Sequence, residues 1–486
     1  MLKLSKKSSV TLVELPPTQF GKLNGDVSSD IYSSFRLPSR AIHVLEGVLR
    51  NDGWENVKSI NPIYHGKKGK LTKENFKRIF DSDVLGISSI TRTSKQSLEL
   101  AEIFKSKNPE GIVIAGGPDP TVRTGDWLRH VDIVVRGEGE KTISELMLRL
   151  MENPEKLMDI EGLAFKKNNK TITTRPRKLL SEDELNKLPH PYYDKEVREK
   201  VTAAVIETSR GCPNDCEFCG VSQFYGRKYR IKSISYIIEG LKRIKNMGRT
   251  LFFTDDNFAA NSRRTIKLLK EMSKKSLNKK IGIAQVTINV SENPELLKSL
   301  KEANVRGLCI GIESISNSSL KDIGKPYNAE MNIRGVEKLK KEDFWIHGMM
   351  MPGGDGDTPQ TLKTTSEWIN KNLNSVQLFP IGPLPGTRFY DRMEREKRIL
   401  SKNWSLYDGN HVLLRPKNFT PYELQKTVNR MFKNFYSCKN SIKRLVNSPS
   451  RKLTLVLFSY NKFQGIRKML YDPESKKHLK FLKNVN

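Results

Sequence analysis

The chain has 486 residues, of which 37% are hydrophobic, and its formal net charge is +31 at pH 7. This length provides for two to four domains with cores of ordinary size. The five cysteines are an odd count in a long polar chain, which argues against a disulfide framework. No apolar run approaches the length of about 20 residues that spans a bilayer, which argues against a membrane-spanning protein.

The charge and the N-terminus bear on location and partners. Residues Met1 to Lys7 lack the apolar stretch of a signal peptide, which predicts a cytoplasmic, reducing location. The positive charge allows a nucleic acid or peripheral contact with an anionic membrane. Lysine and arginine are nevertheless spread along the whole chain, with denser stretches at Arg175 to Lys178 and near the C-terminus. We therefore interpret the charge as a solvated basic surface and do not favour a nucleic-acid partner.

Short apolar strands alternate with helical patterns over the first 155 residues. The predicted strands and helices are Val10 to Leu15, Ser39 to Asn51, Val84 to Ser88, Lys95 to Lys105, Gly111 to Ala115, Val131 to Val135 and Thr142 to Met151. This alternation is typical of a parallel, doubly wound α/β sheet. We predict a Rossmann-like domain over residues 1–155, with its ligand at the carboxyl ends of the strands.

Glycines and small polar residues follow three of these strands. The candidate ligand contacts are Ser88, Ser89, Gly116, Gly117, Gly137 and Glu138. Glycine lets the backbone approach a bulky ligand closely. The Ala-Gly-Gly-Pro turn at residues 115–118, paired with Arg-Gly-Glu-Gly-Glu at 136–140, resembles the cobalamin-binding domain of B12-dependent radical S-adenosylmethionine (SAM) enzymes. The resemblance implies that these six residues contact cobalamin.

The sequence departs from one cobalamin-domain pattern. Domains that place a histidine on cobalt carry Asp-x-His-x-x-Gly, which is absent here, and Asp119 stands where many relatives have histidine. We expect cobalamin to bind without a histidine on cobalt. The alternative is a degenerate Rossmann-like domain that serves packing or substrate binding, because glycine turns alone are weak evidence.

A polar connector follows over residues 156–195. Residues Ile160 to Thr173 alternate in polarity around Lys167-Asn168-Asn169-Lys170, which predicts a hairpin. The run from Leu188 to Tyr193 contains two prolines and is predicted to be extended. The second domain is predicted to begin at residue 196.

Three cysteines follow the first strand predicted in that domain. Cys212, Cys216 and Cys219 have the spacing C-x3-C-x2-C, and neither His190 nor His347 has the spacing of a zinc knuckle. Structural zinc takes four protein ligands, whereas a [4Fe-4S] cluster on three thiolates keeps one iron open. An open iron suits catalysis, although a zinc site remains an alternative.

This motif resembles the signature of the radical SAM superfamily. The resemblance implies that Cys212, Cys216 and Cys219 bind the cluster, that its open iron chelates SAM and that Phe218 lies on the adenine side. It further implies reductive cleavage of SAM to a 5'-deoxyadenosyl radical. The other two cysteines, Cys309 in an apolar strand pattern and Cys438 in a basic helical tail, are predicted to be buried or incidental thiols.

A strand-then-helix pattern repeats six times over residues 196–400. The predicted strands are Ala203 to Glu207, Leu251 to Thr254, Gly282 to Ile288, Gly307 to Glu313, Trp345 to Met350 and Ser375 to Phe379, with helices that include Ser233 to Asn246 and Thr358 to Asn370. Six such units predict a partial (β/α)6 barrel with its chemistry at the carboxyl ends of the strands. The loop that carries the three cysteines, residues 207–219, is called the cluster loop. It follows the first of these strands, which is where a radical SAM barrel places its cluster.

Polar residues at two other strand ends are candidate SAM contacts. Asp255 and Asp256 are suited to the amino group and hydroxyls of SAM. Gly311 leaves space, and Glu313 could accept from the ribose hydroxyls. All four resemble SAM-contacting positions of the superfamily. The alternatives are a helix N-cap for Asp255 and a barrel ion pair for Glu313, while the loop from Pro352 to Asp357 is either substrate-facing or helix-capping.

A basic, mostly helical extension is predicted over residues 401–486. It includes a helix from Pro421 to Tyr436 and resembles the C-terminal extension of a cobalamin-type subgroup that contains hopanoid-modifying enzymes. This likeness weakly supports a lipid-like substrate. Tyr407 and His411 are interpreted as packing residues rather than active-site groups.

Together these features predict a radical SAM enzyme with a [4Fe-4S] cluster, SAM and cobalamin. We expect it to methylate an unactivated carbon of a lipid-like or other small molecule, with electrons from a donor such as ferredoxin or flavodoxin. The resemblance implies that one SAM supplies the methyl group through cobalamin and another the radical. The alternatives are a non-methylating cyclase or oxidoreductase, an RNA-modifying radical enzyme, and a cobalamin or nucleic-acid binding module with a structural cluster.

Overall fold

A computed structural model describes residues 4–28, 36–168, 170–446 and 473–485. The chain divides into two compact units, Met1–Thr202 and Ala203–Asn486. Asn169 of the predicted hairpin turn and much of the predicted basic tail lie outside the described residues. The four-part division predicted from the sequence stays a prediction.

The first unit contains a seven-stranded sheet in the order β2-β1-β3-β4-β5-β6-β7. Its strands are β1 Val10–Glu14, β2 Val57–Ile60, β3 Val84–Ser88, β4 Ile112–Gly116, β5 Ile133–Val135, β6 Leu163–Lys167 and β7 Lys170–Thr173. The first five pair in parallel, whereas β6 and β7 pair antiparallel, with Lys167 opposite Lys170. The predicted hairpin therefore extends this sheet.

Helices cover both faces of the sheet. They are α1 Ala41–Asn51, α2 Pro62–His65, α3 Lys73–Phe80, α4 Ser94–Lys107, α5 Pro118–Val122, α6 Thr124–Trp127, α7 Glu140–Glu152, α8 Glu182–Lys187 and α9 Lys195–Lys200. Alternate residues of β4 belong to different apolar clusters, Ile112 and Ile114 to one and Val113 and Ala115 to the other. This alternation confirms the doubly wound prediction, since a two-faced core requires helices on each side.

The second unit contains six parallel strands in chain order. They are β8 Ala203–Ile206, β11 Thr250–Phe253, β12 Ile281–Val286, β13 Val305–Glu313, β14 Trp345–Met350 and β15 Ser375–Leu378; a separate antiparallel pair is formed by β9 Ser209–Arg210 and β10 Arg230–Ile231. The predicted partial barrel is confirmed. The sheet has β8 at one edge and β15 at the other.

Helices connect these strands and form the C-terminal extension. They are α10 Gly220–Tyr225, α11 Ile234–Arg243, α12 Ser262–Lys274, α13 Pro294–Glu302, α14 Asn317–Asp322, α15 Ala329–Lys341, α16 Pro359–Asn372, α17 Arg388–Arg395, α18 Pro421–Phe435, α19 Cys438–Val446 and α20 Pro473–Asn484. Side-chain caps at Asn261, Asn328 and Thr358 begin α12, α15 and α16. Over the described ranges, none of the helices has the length and apolar character needed to cross a membrane.

Candidate active site

The cluster loop leaves β8 through a glycine that no other residue can replace without strain. Gly211 has φ +84, and a Cβ there would lie 2.1 Å from the carbonyl oxygen of Lys228. Its N–H donates to Asp256 Oδ2 at 3.1 Å, so the end of β11 fixes the start of the loop. Glycine is therefore required immediately before Cys212.

The three motif cysteines are free thiols in a sheltered loop. Cys216 is buried, while Cys212 and Cys219 are half-buried. Burial raises the pKa of the Cys216 thiol to about 11 and also raises the pKa of Cys219. Such thiols stay protonated unless a metal replaces the proton and compensates the charge of the thiolate.

The donor set fits a cluster on three thiolates. Within the described ranges, no three His, Cys, Asp or Glu side chains are grouped tightly enough to hold one metal ion. A four-iron cluster does not require such a group, because each thiolate ligates a different iron. Asn257 Nδ2 lies 3.9 Å from Cys212 Sγ, and Asn257 Oδ1 is buried without a hydrogen-bond partner among the described residues. An acceptor is thus held beside the first ligand.

Asp255 ties the end of β11 to the end of β8. Its carboxylate accepts from Thr208 N at 3.1 Å, from Thr208 Oγ1 at 2.7 Å and from Ser209 Oγ. Burial raises the pKa of Asp255 despite these hydrogen bonds. Because its oxygens already have partners in Thr208, which lies between β8 and β9, and in Ser209 of β9, the structure shows Asp255 as a support for the cluster loop. Its predicted contact with SAM stays a prediction, as does that of Asp256.

A buried arginine completes this support. Arg264 on α12 donates to Thr208 Oγ1 at 2.8 Å, to the carbonyl oxygen of Thr208 at 2.7 Å and to that of Lys232 at 3.0 Å. The planar guanidinium can satisfy several acceptors at once in a way that a lysine cannot. No motif in the sequence indicates a role for Arg264, because only the fold brings its partners together.

Glu313 forms an ion pair within the barrel, which was the alternative to a SAM contact considered from the sequence. Its Oε1 lies 2.9 Å from Lys325 Nζ, and both side chains are buried. Burial opposes the charge on Lys325, but Glu313 and Cys216 outweigh it and raise the pKa of Lys325. A Cβ at Gly311 would lie 2.7 Å from Glu313 Oε1, so glycine provides the space for the pair. Whether Gly311 and Glu313 contact SAM stays a prediction.

The backbone at this point is irregular. Glu313 has φ +61, and the register between β13 and β14 shifts between Gly311 and Glu313. A positive φ is uncommon for a residue other than glycine. Bulges often turn a side chain next to an active site. Here the irregular backbone lies at Glu313, whose carboxylate pairs with Lys325.

Phe218 packs on an apolar cluster beside the loop. The cluster consists of Ile323, Ile381, Phe389, Met393 and Leu414, with Met351 and Ile399 at its margin. The backbone carbonyl oxygen of Glu217, the preceding residue, accepts from Phe389 N at 3.2 Å, and its carboxylate pairs with Arg392 at 3.0 Å. Helix α17 therefore holds the loop beside its third cysteine. The predicted position of Phe218 near adenine stays a prediction.

The remaining candidates of the second unit have structural partners. Asp357 accepts from Gly353 N at 2.8 Å, and Asp355 pairs with Lys417 at 2.8 Å and with Arg398 at 2.5 Å, so the loop after β14 is held from within the unit. His411 Nδ1 lies 2.9 Å from Asp408 Oδ1. Tyr407 Oη donates to the carbonyl oxygen of Ser401 at 2.9 Å.

In the first unit, glycines shape the carboxyl edge of the sheet. Gly117 has φ +101, and a Cβ there would lie 2.7 Å from the carbonyl oxygen of Ser89. Gly137 has φ +80, and a Cβ there would meet nothing within 4 Å. Ser89 N donates to the carbonyl oxygen of Gly116 at 3.0 Å. Among the residues predicted at the ends of β3, β4 and β5, Gly117 is therefore tightly packed, whereas Gly137 has open space where a side chain would lie.

Apolar side chains are exposed near the same edge. Ile90, which follows Ser89, is 51% exposed, and Val122 at the end of α5 is 44% exposed. A large flat ring needs both open backbone and apolar side chains, so this edge fits the corrin of cobalamin. Ser88 Oγ donates to Glu14 Oε2 at 3.4 Å, and Glu138 Oε2 accepts from Leu180 N at 2.7 Å. Contact of the six predicted residues with cobalamin stays a prediction.

Asp119, which stands where many cobalamin-binding relatives have histidine, has a structural role. It is fully buried and receives two hydrogen bonds from Arg123, at 2.9 and 2.7 Å, and one from Trp127 Nε1 at 2.7 Å. A carboxylate with three strong donors needs no ligand to satisfy it. The turn after Gly117 is therefore stabilised from inside the unit.

Comparisons with known proteins agree with both units. The model of the radical SAM superfamily matches residues 206–369, and that of the B12 binding domain matches residues 31–147. An uncharacterized methyltransferase of Pyrococcus horikoshii is 30% identical over 388 residues, which cover 77% of this chain and 83% of the relative. The chain belongs to the cobalamin-dependent radical SAM enzymes.

Two further known proteins are similar to this chain. The hopanoid C-3 methylase of Methylococcus capsulatus is 25% identical over 78% of this chain and 73% of its own length. The structure of the radical SAM methyltransferase TsrM from Kitasatospora setae, with tryptophan and a SAM analogue, has a TM-score of 0.65 and 16% identity, covering 80% of this chain and 76% of that one. At this identity the structural likeness shows the fold alone.

As a cobalamin-dependent radical SAM enzyme, the protein uses a [4Fe-4S] cluster, SAM and cobalamin. The thiols of the loop after β8 fit the cluster, and the carboxyl edge of the first unit fits cobalamin. Sequence reasoning missed Lys325 and Arg264. Lys325 is one lysine among many in a basic chain, and only its burial against Glu313 distinguishes it.

Proposed function

We propose that this radical SAM enzyme methylates an unactivated carbon of a lipid-like small molecule. The observation that carries the proposal is the cluster loop after β8, bordered by the buried Glu313–Lys325 pair, in one chain with a cobalamin-type sheet edge. The relative named as a methyltransferase supports methyl transfer. The hopanoid relative supports a lipid-like substrate.

When bound, the cluster supplies an electron to SAM and cobalamin carries a methyl group. The overall reaction balances as one substrate R–H, two SAM and two electrons giving R–CH3, S-adenosylhomocysteine, 5'-deoxyadenosine and methionine. The hydrogen removed from the substrate ends on 5'-deoxyadenosine. The chain's own residues bind and orient SAM and exclude water and oxygen from the radical.

Two groups beside the cluster loop are assigned to the methionine end of SAM. Lys325 has three N–H donors, of which Glu313 uses one, so the ammonium can also bind the SAM carboxylate. Asn257 Oδ1, buried beside Cys212, is an acceptor for the SAM amino group. An unsatisfied buried acceptor costs about 1–3 kcal/mol, which the ligand's N–H would recover.

The test is mass spectrometry of SAM products after anaerobic cluster reconstitution and dithionite reduction, with and without cobalamin. We expect 5'-deoxyadenosine in both cases and S-adenosylhomocysteine only with cobalamin. Cys216→Ala should abolish both products, while Cys438→Ala, at an exposed thiol, should keep them. A protein with a full cluster that forms neither product would contradict the proposal and favour a binding module. Deoxyadenosine without methylated product in the presence of substrate would favour a cyclase or oxidoreductase.

The substrate class is tested with SAM that carries a deuterated methyl group. The reconstituted enzyme is incubated separately with a lipid extract, a polar metabolite extract and a transfer-RNA pool. We expect the label in a carbon-bound methyl group of the lipid fraction. Label confined to the polar extract or to RNA would contradict the lipid-like substrate while leaving methyl transfer intact.

A further inference from the structure

The exposed side of the cluster loop carries basic side chains next to a ligand cysteine. Arg227 and Arg388 both pair with Asp215, at 3.2 and 2.9 Å, and their side chains are 60% and 49% exposed. Asp215 directly precedes Cys216, so their Cα atoms are about 3.8 Å apart. Lys228 is exposed as well. One carboxylate against three cations leaves an excess of positive charge close to the cluster.

Two exposed apolar residues also lie in or against the cluster loop. Leu384 is exposed, and a Cβ at Gly220, the residue after Cys219, would lie 3.1 Å from Leu384 Cδ2. Pro213, the residue after Cys212, is also exposed. We call the surface formed by Pro213, Arg227, Lys228, Leu384 and Arg388 the basic loop face. Exposed apolar and charged side chains occur together in protein interfaces.

The proposed reaction, on which this inference rests, consumes electrons that the chain itself does not supply. They must reach the cluster from outside. The basic loop face contains Pro213, next to Cys212, and contacts Asp215 and Gly220, which are next to Cys216 and Cys219. We propose that this face docks an acidic, one-electron donor protein of the flavodoxin or ferredoxin type. Electron-transfer partners form small interfaces, and complementary charge raises the rate of encounter more than the affinity.

A nucleic acid fits this face less well than an acidic protein. Tight binding to a phosphate backbone requires many cationic contacts, commonly about 6–10. The basic loop face offers three, two of which share Asp215. Its two apolar residues, Pro213 and Leu384, also contribute nothing to phosphate binding. The face therefore favours a protein surface that carries a few carboxylates and apolar side chains.

The experiment measures 5'-deoxyadenosine from the reconstituted full-length enzyme under two reductants. One is dithionite, and the other is flavodoxin reduced by NADPH and its reductase. The variants are Arg227→Glu and Lys228→Glu. Arg388 is left unchanged, because it also donates to the carbonyl oxygen of Asp215 at 2.9 Å. The matched control is Arg334→Glu on α15, where an arginine 64% exposed lies 3.7 Å from Glu292.

We expect each variant to lose about 10-fold in flavodoxin-driven rate, through a higher KM for flavodoxin, while its dithionite-driven rate stays close to that of the wild type. Arg334→Glu should change neither rate. Added salt should slow the wild type under flavodoxin more than the variants. An unchanged flavodoxin KM would overturn the docking proposal, and so would an equal loss under both reductants.

The same experiment separates the two proposals. A wild-type enzyme with a full cluster that is inactive under dithionite would refute the proposed function itself. Filter binding of a transfer-RNA pool provides the last comparison. Variants that lose RNA binding but keep flavodoxin-driven kinetics would overturn the docking proposal and assign the face to nucleic acid.

Discussion

Lys325 Nζ lies 2.9 Å from Glu313 Oε1, and both side chains are more than nine-tenths buried next to the cluster loop. A buried ion pair is a poor source of stability, because desolvation offsets much of the attraction between the charges. Removing one partner is nevertheless costly, since it leaves an unpaired charge in the interior. The proposed binding of the SAM carboxylate by Lys325 would give this pair a role beyond stability.

Lys325→Met should therefore weaken both folding and SAM binding. We expect a loss of about 3–5 kcal/mol in the free energy of unfolding, because Glu313 keeps a buried charge. The affinity for SAM should fall at least about 10-fold with loss of a charge-assisted hydrogen bond. Denaturant unfolding and calorimetric titration with SAM check the two effects. Lys298→Met, which alters an exposed pair with Glu302 at 3.9 Å, should change neither. Unaltered SAM affinity would reduce the pair to a structural role.

Thr208→Val should loosen the cluster loop without changing the volume of the side chain. It removes the hydroxyl that donates to Asp255 and accepts from Arg264, so two buried partners each lose a hydrogen bond. The expected loss is about 1–3 kcal/mol for each group left unsatisfied. Iron content and the electron paramagnetic resonance spectrum of the reduced cluster check the effect. Thr364→Val, at an exposed helix position, is the control. A native spectrum with full iron content would show that the loop does not depend on this network.

Asp119→Asn should destabilise the first unit far more than Asp126→Asn. Asp119 is the buried partner of Arg123 and Trp127, whereas Asp126 meets Arg123 from a half-exposed position. We expect losses of about 3–5 and less than about 1 kcal/mol, respectively. Cobalamin binding, followed by its visible spectrum, should persist in Asp119→Asn under conditions where the protein is folded. Loss of cobalamin at unchanged stability would instead indicate direct contact.

Gly137→Ala and Gly53→Ala separate backbone strain from ligand contact. The two glycines have φ +80 and +86, and a Cβ at either meets nothing within 4 Å. Both changes should cost about 1 kcal/mol of stability from the positive φ. Gly137 lies at the edge assigned to cobalamin, whereas Gly53 follows α1 and precedes β2. We expect Gly137→Ala alone to weaken cobalamin binding in a spectroscopic titration. Equal cobalamin affinities of the two variants would show that the corrin does not contact Gly137.

Acid should destabilise the second unit through its buried histidines. Burial lowers the pKa of His347 to about 4, from an ordinary value near 6.5. Between pH 6.5 and pH 4, His347 binds a proton in the unfolded chain but not in the folded chain. The free energy of unfolding therefore falls as the pH drops toward 4. His347→Gln should flatten this dependence over that window in denaturant titrations. The same slope in the variant would assign the acid sensitivity to other groups, such as His478, whose pKa burial also lowers to about 4.

The parallel sheets and the cluster loop were predictable from the sequence because their signals are local. Val84–Ser88 and Ile112–Gly116 are continuous apolar runs that end in turns, and three cysteines within one loop need no long-range information. Strand β2 was missed because Lys58 and Ser59 interrupt its apolar pattern at the edge of the sheet. The partners of Arg264 and Lys325 were not predictable, since tertiary contacts define them.

The barrel sheet has two edges, which a closed ring would lack. Strands β8 and β15 are these edges rather than neighbours. The unpaired N–H and C=O groups of an edge strand can pair with another chain, so proteins commonly cover such edges. On β15 the cover is a side chain, because Tyr436 Oη, just after α18, accepts from Val376 N at 3.1 Å and donates to the carbonyl oxygen of Val376 at 2.8 Å. The C-terminal extension therefore protects this part of the edge from pairing with another molecule.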